Sequence, residues 1–349
     1  MRELLLPFSL IYAAGVALRN WLFDIGIRKV HTVGVPVISV GNLSAGGVGK
    51  TPFVELLARR LTAEGRKVAI VSRGYKREGT GTVVVSNGRV VCADADLAGD
   101  EPAQLAEKLK GVVVIVDERR VSGAQYAIRQ FGADLILLDD GFQHRSIHRD
   151  LDIVLLSAAE GSLAEHLLPA GDRREPFRSL RRANLIVLSH CADEMQFHRL
   201  AERIRTRIDK PVMGVRVKAR AVRRATTKFS IDLNGVKAKR VVAFSGIGSP
   251  GSFEETLRLL ELQVDEHLKF ADHHRYEPED LKLIEEAAHR AGADYLVTTE
   301  KDLARLRGSS AKAGDFLQRN PIYFVEIEEE IVAGGQHLTE ALEKFQKSP

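Results

Sequence analysis

Short, unbroken apolar runs recur through the first half of the chain. They are "VPVISV" at 35–40, "KVAIVS" at 67–72, "GVVVIV" at 111–116, "DLILLDD" at 134–140, "DIVLLS" at 152–157 and "NLIVLS" at 184–189. They are rich in Val, Ile and Leu and do not alternate with polar residues, which is the pattern of strands covered on both faces. Segments of helical spacing separate several of them. After the first run, Phe53, Leu56, Leu57 and Leu61 fall on one helical face, with Pro52 at the start and Gly65 at the end. The alternation predicts a doubly wound α/β domain, a mostly parallel sheet with helices on both faces.

Near residue 220 the character changes. "VKARAVRRATTKFSIDLNGVKAKR" is basic and polar, and Asn234-Gly235 is a hairpin-turn dipeptide. It reads as a β-hairpin-like linker. Beyond it, "RVVAFSGIG", a helix from Ser252, "DYLVTTEKD" and "IYFVEIEE" predict a second, smaller α/β domain. The expected division is an N-terminal helix at 1–30, a core at 31–220, a linker at 221–239 and a lid domain at 240–349.

The first segment fits neither pattern. Leu4 to Leu18 is fifteen residues without a charge, followed by "RNWLF" with Trp21 and Phe23 beside a cation. A spanning helix needs about 20 apolar residues. A signal peptide would carry the phosphate-loop-like segment into a compartment without ATP, and no convincing cleavage site appears. An interfacial helix fits best; a buried helix and a true span are the alternatives.

Composition narrows the classes. The 349 residues suggest two domains. Cys92 and Cys191 lie far apart without metal-ligand spacing, which argues against a disulfide scaffold and for a reducing compartment. The formal charge of +4 does not by itself choose between nucleic acid, anionic lipid and phosphorylated substrates.

The chemistry begins in "GNLSAGGVGKTP". Between a strand and a helix, Ser44, Ala45, Gly46, Gly47, Val48, Gly49, Lys50 and Thr51 form a phosphate-loop pattern, with Ser44 where the usual motif has its first glycine. Backbone N–H groups surround the phosphates, Lys50 reaches the β- and γ-phosphates, and Thr51 ligates Mg²⁺. Such a loop wants an acid at a neighbouring strand end; Asp139 and Asp140 supply it, and either could be the direct ligand. ATP and Mg²⁺ are the expected cofactors. No N-K-x-D base reader occurs: the corresponding place holds Ser189, His190 and Asp193, which argues against a GTP switch. Motor ATPases place a Glu after the strand-end Asp, where Asp140 stands here. A kinase needs a base for the acceptor hydroxyl. Asp100 in "GDEP" is one candidate, with a helix-capping role as the alternative; His273 and His274 are others. Arginines crowd "PAGDRREPFRSLRRAN", suiting either an anionic headgroup or a solvated face.

With these residues assembled, the chain resembles the tetraacyldisaccharide 4′-kinases of Gram-negative bacteria. The resemblance rests on "VGNLSAGGVGKTP", "SRGYKR", "GDEP", "VDERRVSGA", "LLDDGFQHR", "LPAGDRREP", "FSGIGSPGSFEETL", "FADHH" and "TTEKD", in that order over nearly the whole chain. Ser44 is ordinary in this family; Asp172-Arg173 departs from its frequent Pro-Leu. The resemblance implies transfer of the ATP γ-phosphoryl group to the 4′-hydroxyl of a tetraacylated disaccharide 1-phosphate, giving lipid IVA. It implies Asp100 as base, supported by His273, and makes Arg174, Glu175 and His144 candidate substrate contacts. The expected location is the cytoplasmic face of the inner membrane, with a lipid substrate, no nucleic acid and no obligate protein partner. A membrane-bound regulatory P-loop ATPase and a kinase of a soluble metabolite are the rival readings.

Overall fold

The structure of the protein, a computed structural model, describes residues 3–159, 166–227, 230–231, 239–309 and 311–346. Helix α1 (Leu6–Asp24) leads into β1 (Val37–Asn42), α2 (Lys50–Ala63), β2 (Val68–Ser72) and β3 (Val83–Asn87). Next come α3 (Ala95–Ala98), α4 (Asp100–Lys108), β4 (Val113–Val116), α5 (Arg120–Phe131), β5 (Leu135–Asp139) and β6 (Leu151–Ser157). Then come β7 (Leu185–Ser189), α6 (Glu194–Arg205), the long β8 (Val212–Arg224) and the short β9 (Ser230–Ile231). The second unit opens with β10 (Arg240–Ser245), α7 (Pro250–Leu259), β11 (Gln263–Lys269), α8 (Pro278–Ala291) and β12 (Tyr295–Thr299). It ends with α9 (Glu300–Ser309), α10 (Ala311–Arg319), β13 (Ile322–Ala333) and α11 (Gly335–Glu343).

All strands join one sheet in the order β11-β10-β12-β13-β8-β7-β6-β1-β5-β2-β4-β3, with β9 on β8. Pairing is parallel except at β3–β4, β13–β8 and β8–β9. Strands β1, β2 and β5 are buried at every position, as unbroken apolar runs require. Ile38, Val40 and Ile70 face α2, α4 and α11; Val37, Ala69 and Val71 face α5. In the later strands Val242 and Phe244 pack under α8, α9 and α10, while Val241 and Ala243 pack under α7. Helices therefore cover both faces over most of the sheet, while the edge strand β11 has no buried residue and the middle of β8 is largely exposed.

Two features depart from the sequence pattern. The boundary expected at residue 220 falls inside β8. Its first residues pair with β7, and its full length runs antiparallel to β13, from Gly214↔Ala333 to Arg224↔Tyr323. Strand alternation is present in "VRVKARAVRR", but its polar positions are all basic, so composition masked the period of two. The Asn234-Gly235 turn lies outside the described residues. Helix α11, near the chain's end, returns to the first unit: Leu338, Leu342 and Phe345 lie in its core beside Val187 and Met213.

Helix α1 is not a core helix. Only Ser9 and Val16 are buried in it, while Phe8, Leu10, Ile11, Leu18 and Trp21 stand exposed. Its polar positions are nevertheless tied down. The Ser9 hydroxyl donates to the Leu167 carbonyl at 3.0 Å and accepts from the Ala170 N–H at 3.0 Å. The Tyr12 hydroxyl donates to the Arg174 carbonyl at 3.0 Å.

Candidate active site

The chemistry gathers where parallel strands end, the usual ligand position in open α/β sheets. The loop after β1 leads into α2, whose N-cap is Gly49. Its left-handed angles fall on Gly46 (φ 118°) and Gly49 (φ 76°), and Ser44 is not among the residues with positive φ. A serine at 44 therefore costs no backbone strain. The loop's outer edge pairs with the arginine-rich segment: the Ala45 N–H donates to the Asp172 carbonyl (2.6 Å), and the Arg174 N–H to the Leu43 carbonyl (2.6 Å). The unusual Asp172 thus serves through its backbone, and the Arg173 guanidinium lies over the Phe177 ring at 5.2 Å. Behind the loop stand His190 and Glu329: a Cβ on Gly49 would lie 3.2 Å from Glu329 Oε1 and 3.6 Å from His190 Nε2.

The two strand-end acids differ in environment. Asp140, at φ 53°, faces Lys50 Nζ at 3.4 Å and accepts from Arg174 Nη1 at 2.9 Å. Burial opposes its ionisation, but the charges of Lys50 and then Arg174 hold its carboxyl below the usual range. Asp139 accepts from the Ser72 hydroxyl through Oδ2 at 3.1 Å, while its Oδ1 is buried without a hydrogen-bond partner among the described residues. Burial, then the charges of Glu101 and Asp140, push its carboxyl up to about 7. A buried carboxylate oxygen left unpaired beside a second acid fits a divalent cation, and Thr51, at the start of α2, is buried too. Among the described residues no three His, Cys, Asp or Glu side chains cluster as a metal cage. Such a donor set suits Mg²⁺, which takes one or two carboxylates and completes its shell with phosphates and water.

Asp100 is not a helix cap. Gly99 is the N-cap of α4, with no side-chain cap bond, and Asp100 occupies the first helical position. Its carboxylate turns across to the second unit. His273 Nδ1 donates to Oδ2 at 2.8 Å, and Arg305 Nε donates to the same oxygen at 3.0 Å. Burial would raise this carboxyl; the His273 hydrogen bond and the Arg305 charge outweigh it and bring it down to about 2. His273 adopts φ 63° and meets the Tyr75 ring edge-on at 6.2 Å. His274 does not join it: it stacks on Phe270 at 4.8 Å and bonds Asp280 at 2.8 Å. Glu101, the next residue of "GDEP", pairs with Lys301 of "TTEKD" at 3.1 Å.

The candidate substrate contacts divide. Arg174 reaches the site through Asp140. His144 bonds Ser146 Oγ at 2.9 Å, and burial, reinforced by the charges of Arg120, Arg149 and Arg73, pushes its imidazole down to about 4, so it is neutral at pH 7. Glu175 faces away: its side chain is fully buried, and it accepts from Arg19 (3.1 Å) and Asn20 (2.9 Å) of α1 and from Arg182 (3.0 Å). Its place in the motif suggested a substrate contact; in the structure it fastens the N-terminal helix. The sequence reading missed Arg305, Glu329 and the Glu101–Lys301 pair. Only the position of Glu101 and Lys301 inside "GDEP" and "TTEKD" offered a signal.

A phosphate loop whose lysine faces a strand-end acid, with a carboxylate–imidazole pair beside Glu101, on which the charges of Lys50 and Asp140 act, defines a phosphotransferase of the P-loop class. The model of the LpxK family, described as tetraacyldisaccharide-1-P 4′-kinase, matches residues 1–347, and the chain belongs to this family. A tetraacyldisaccharide 4′-kinase of Anaeromyxobacter sp. (strain Fw109-5) is 41% identical over 335 residues, covering 95% of this chain and 88% of the relative. One from Chlorobium limicola is 37% identical over 352 residues, covering 99% and 98%. A solved structure of LpxK from Aquifex aeolicus in complex with ATP superposes with a TM-score of 0.79 at 34% identity, covering 99% of each chain.

Proposed function

We infer that this protein transfers the γ-phosphoryl group of ATP to the 4′-hydroxyl of a tetraacyldisaccharide 1-phosphate, giving lipid IVA. The observation that carries the reading is the Asp100–His273 pair, at 2.8 Å and contributed by two separate units, within a family of this activity. The loop amides from Gly47 to Thr51 and Lys50 bind the phosphates at the start of α2. Thr51 and Asp139, with Asp140 beside them, would hold Mg²⁺, which when bound neutralises charge on the β- and γ-phosphates. Asp100 receives the acceptor proton. As the O4′–P bond forms and the P–O bond to ADP breaks, the hydroxyl becomes acidic enough for a weak base to accept its proton. His273 orients the carboxylate. Helix α1 lies at the cytoplasmic leaflet with its exposed apolar side chains in lipid, bringing the site to an acceptor that resides there. The second unit closes over the nucleotide.

The test is transfer from radiolabelled ATP, offered acylated disaccharide, soluble sugars or no acceptor. Label at the 4′ position of the acylated disaccharide alone supports the reading, whereas acceptor-independent hydrolysis returns it to a regulatory ATPase. Asp100→Ala should cut turnover by about 10²–10⁴ with little change in ATP affinity, and His273→Ala by less. The double variant should be little worse than Asp100→Ala alone, because effects within one catalytic unit do not add. Full turnover in Asp100→Ala removes Asp100 from the role of base.

A further inference from the structure

Three motifs of the second unit, "FSGIG", "FADHH" and "TTEKD", converge on one side chain that belongs to none of them. Arg305 of α9 is 8% exposed, and its guanidinium makes four directed approaches. Nε donates to Asp100 Oδ2 (3.0 Å). Nη1 donates to the Gly246 carbonyl (2.6 Å) and to Asp302 Oδ1 (3.0 Å), and Nη2 lies 3.4 Å from His273 Nδ1. The partners are themselves fixed. Asp302 Oδ1 accepts from the Gly246 N–H at 3.0 Å, and Asp302 Oδ2 accepts from the Thr299 hydroxyl at 2.6 Å. The His273 N–H donates to the same Gly246 carbonyl at 3.1 Å.

We propose that Arg305 is the positioning residue of the phosphoryl-transfer site, locking the Asp100 carboxylate and the His273 ring in one geometry across the two units. This rests on Asp100 being the base. A planar guanidinium is suited to the task because its donors are fixed relative to one another, so a bond to Gly246 and Asp302 dictates where Nε points. Among the described residues, every hydrogen bond to the Asp100 carboxylate goes to Oδ2. Oδ1 is left as the oxygen that meets the acceptor hydroxyl. Without Arg305 the carboxylate keeps one donor, His273, and can rotate about Cβ–Cγ. A catalytic group misplaced by about 1 Å can lose about 10²-fold in rate. The contact also makes Asp100's orientation conditional on docking, because Arg305 reaches it only when the second unit is seated. The other titratable groups near this cluster among the described residues include Asp272, 3.9 Å from His273 Nε2, the Glu101–Lys301 pair, Tyr75 against the His273 ring, and Tyr276, which interacts with Asp302 and Arg305.

The test compares Arg305→Gln, Arg305→Lys, Asp100→Asn and the double variant Asp100→Asn/Arg305→Gln in the full chain. Transfer to the acylated disaccharide is measured together with ATP affinity, melting temperature and the pH–rate profile. Arg305→Gln should lower kcat by about 10²-fold with ATP affinity within about threefold. It removes a charge and a donor that stabilise the Asp100 anion, so the acid limb of the profile should move to higher pH. Arg305→Lys keeps the charge without the fork and should recover the position of the limb but only part of kcat. The double variant should match Asp100→Asn. The proposal is overturned if Arg305→Gln is fully active. It is also overturned if Arg305→Gln loses activity with an unmoved acid limb, or if the double variant is slower than Asp100→Asn by the whole Arg305 factor, as a fold defect would give. Failure of the base assignment is separate: Asp100→Asn would then itself turn over normally.

Discussion

Lys50 has a partner within the protein: its ammonium faces Asp140, which Arg174 also grips. Removing Lys50 therefore leaves Asp140 paired, so Lys50→Ala should keep its melting temperature while turnover falls by about 10²–10³. Thr51→Ala should also lose turnover, with a raised Mg²⁺ requirement as its own signature. Near-normal turnover in Lys50→Ala would sink the phosphate-loop mechanism. Glu329 carries a different prediction. Both its carboxylate oxygens are buried without a hydrogen-bond partner among the described residues, and burial pushes it up to about 8 from an ordinary 4.5. The folded protein then holds a proton that the unfolded chain releases at lower pH, so stability falls as pH rises between those values. Glu329→Gln cannot ionise. Its denaturation midpoint should exceed that of the wild type at mildly alkaline pH, and the gap should shrink towards acid pH. Equal midpoints in alkali would show that Glu329 has found a partner. At this scale the sequence was informative where chemistry is local. The phosphate loop and the Asp139-Asp140 pair carry their own spacing and context. Asp100 left two readings open until Gly99 proved to be the cap, and Arg305 and Glu329, single charged residues in amphipathic elements, carried no mark of burial.

Among the elements, α1 combines two loyalties. One face exposes Phe8, Leu10, Ile11, Leu18 and Trp21, and the other is bolted to the segment that carries Arg174. Glu175 makes that bolt costly to break: it is fully enclosed, and burial is outweighed by Arg182 and by the Asn20 hydrogen bond, which hold it ionised. The two faces should therefore separate experimentally. Changing Leu10, Ile11 and Leu18 together to Ser should release the protein from phospholipid vesicles, since each buried aliphatic side chain contributes roughly 1.5–3 kcal/mol, and should leave the melting temperature unchanged. Glu175→Ala should do the reverse. It strands Arg182 and Arg19 near the protein interior and should lower stability by about 3–5 kcal/mol while vesicle binding persists. Continued full binding of the triple Ser variant would move the anchor elsewhere. The run at Leu4–Leu18 was legible because an uncharged stretch is a compositional signal. That a polar stripe docks it could not be read, since Ser9, Tyr12 and Asn20 find their partners about 155 positions or more along the chain. Strand β8 hid for a related reason, its pairing with β13 being set by a segment about a hundred residues later.

At the scale of the whole molecule, the two units share one sheet through β8 and β13 and meet again through charges. Asp100 reaches Arg305 and His273, Glu101 reaches Lys301, and Arg307 reaches Glu107. The most enclosed of these ties is Lys108, whose ammonium donates to Glu55 at 2.8 Å and to Glu300 of α9 at 2.9 Å, with all three side chains about one-tenth exposed. A bridge of this kind is weak grounds for stability, because desolvation offsets much of the attraction, but it fixes how two surfaces register. The two roles predict different results. Lys108→Met leaves the enclosed Glu300 carboxylate without its cation, while Glu55 keeps Arg59 at 2.8 Å, and should cost about 3–5 kcal/mol, with a melting temperature that drops further as pH rises and Glu300 tries to ionise. Replacing the whole triad, Lys108→Met with Glu55→Leu and Glu300→Leu, removes the unpaired charges and should restore the melting temperature to near the wild-type value. If the bridge sets register, that triple variant should still turn over more slowly than wild type, with unchanged ATP affinity, because Asp100 meets His273 and Arg305 only when α4 and α9 are aligned. Melting curves at two pH values and steady-state transfer to the acylated disaccharide decide it. A triple variant with wild-type turnover would leave alignment to the sheet alone, and a Lys108→Met protein as stable as wild type would mean that Glu300 never depended on that cation.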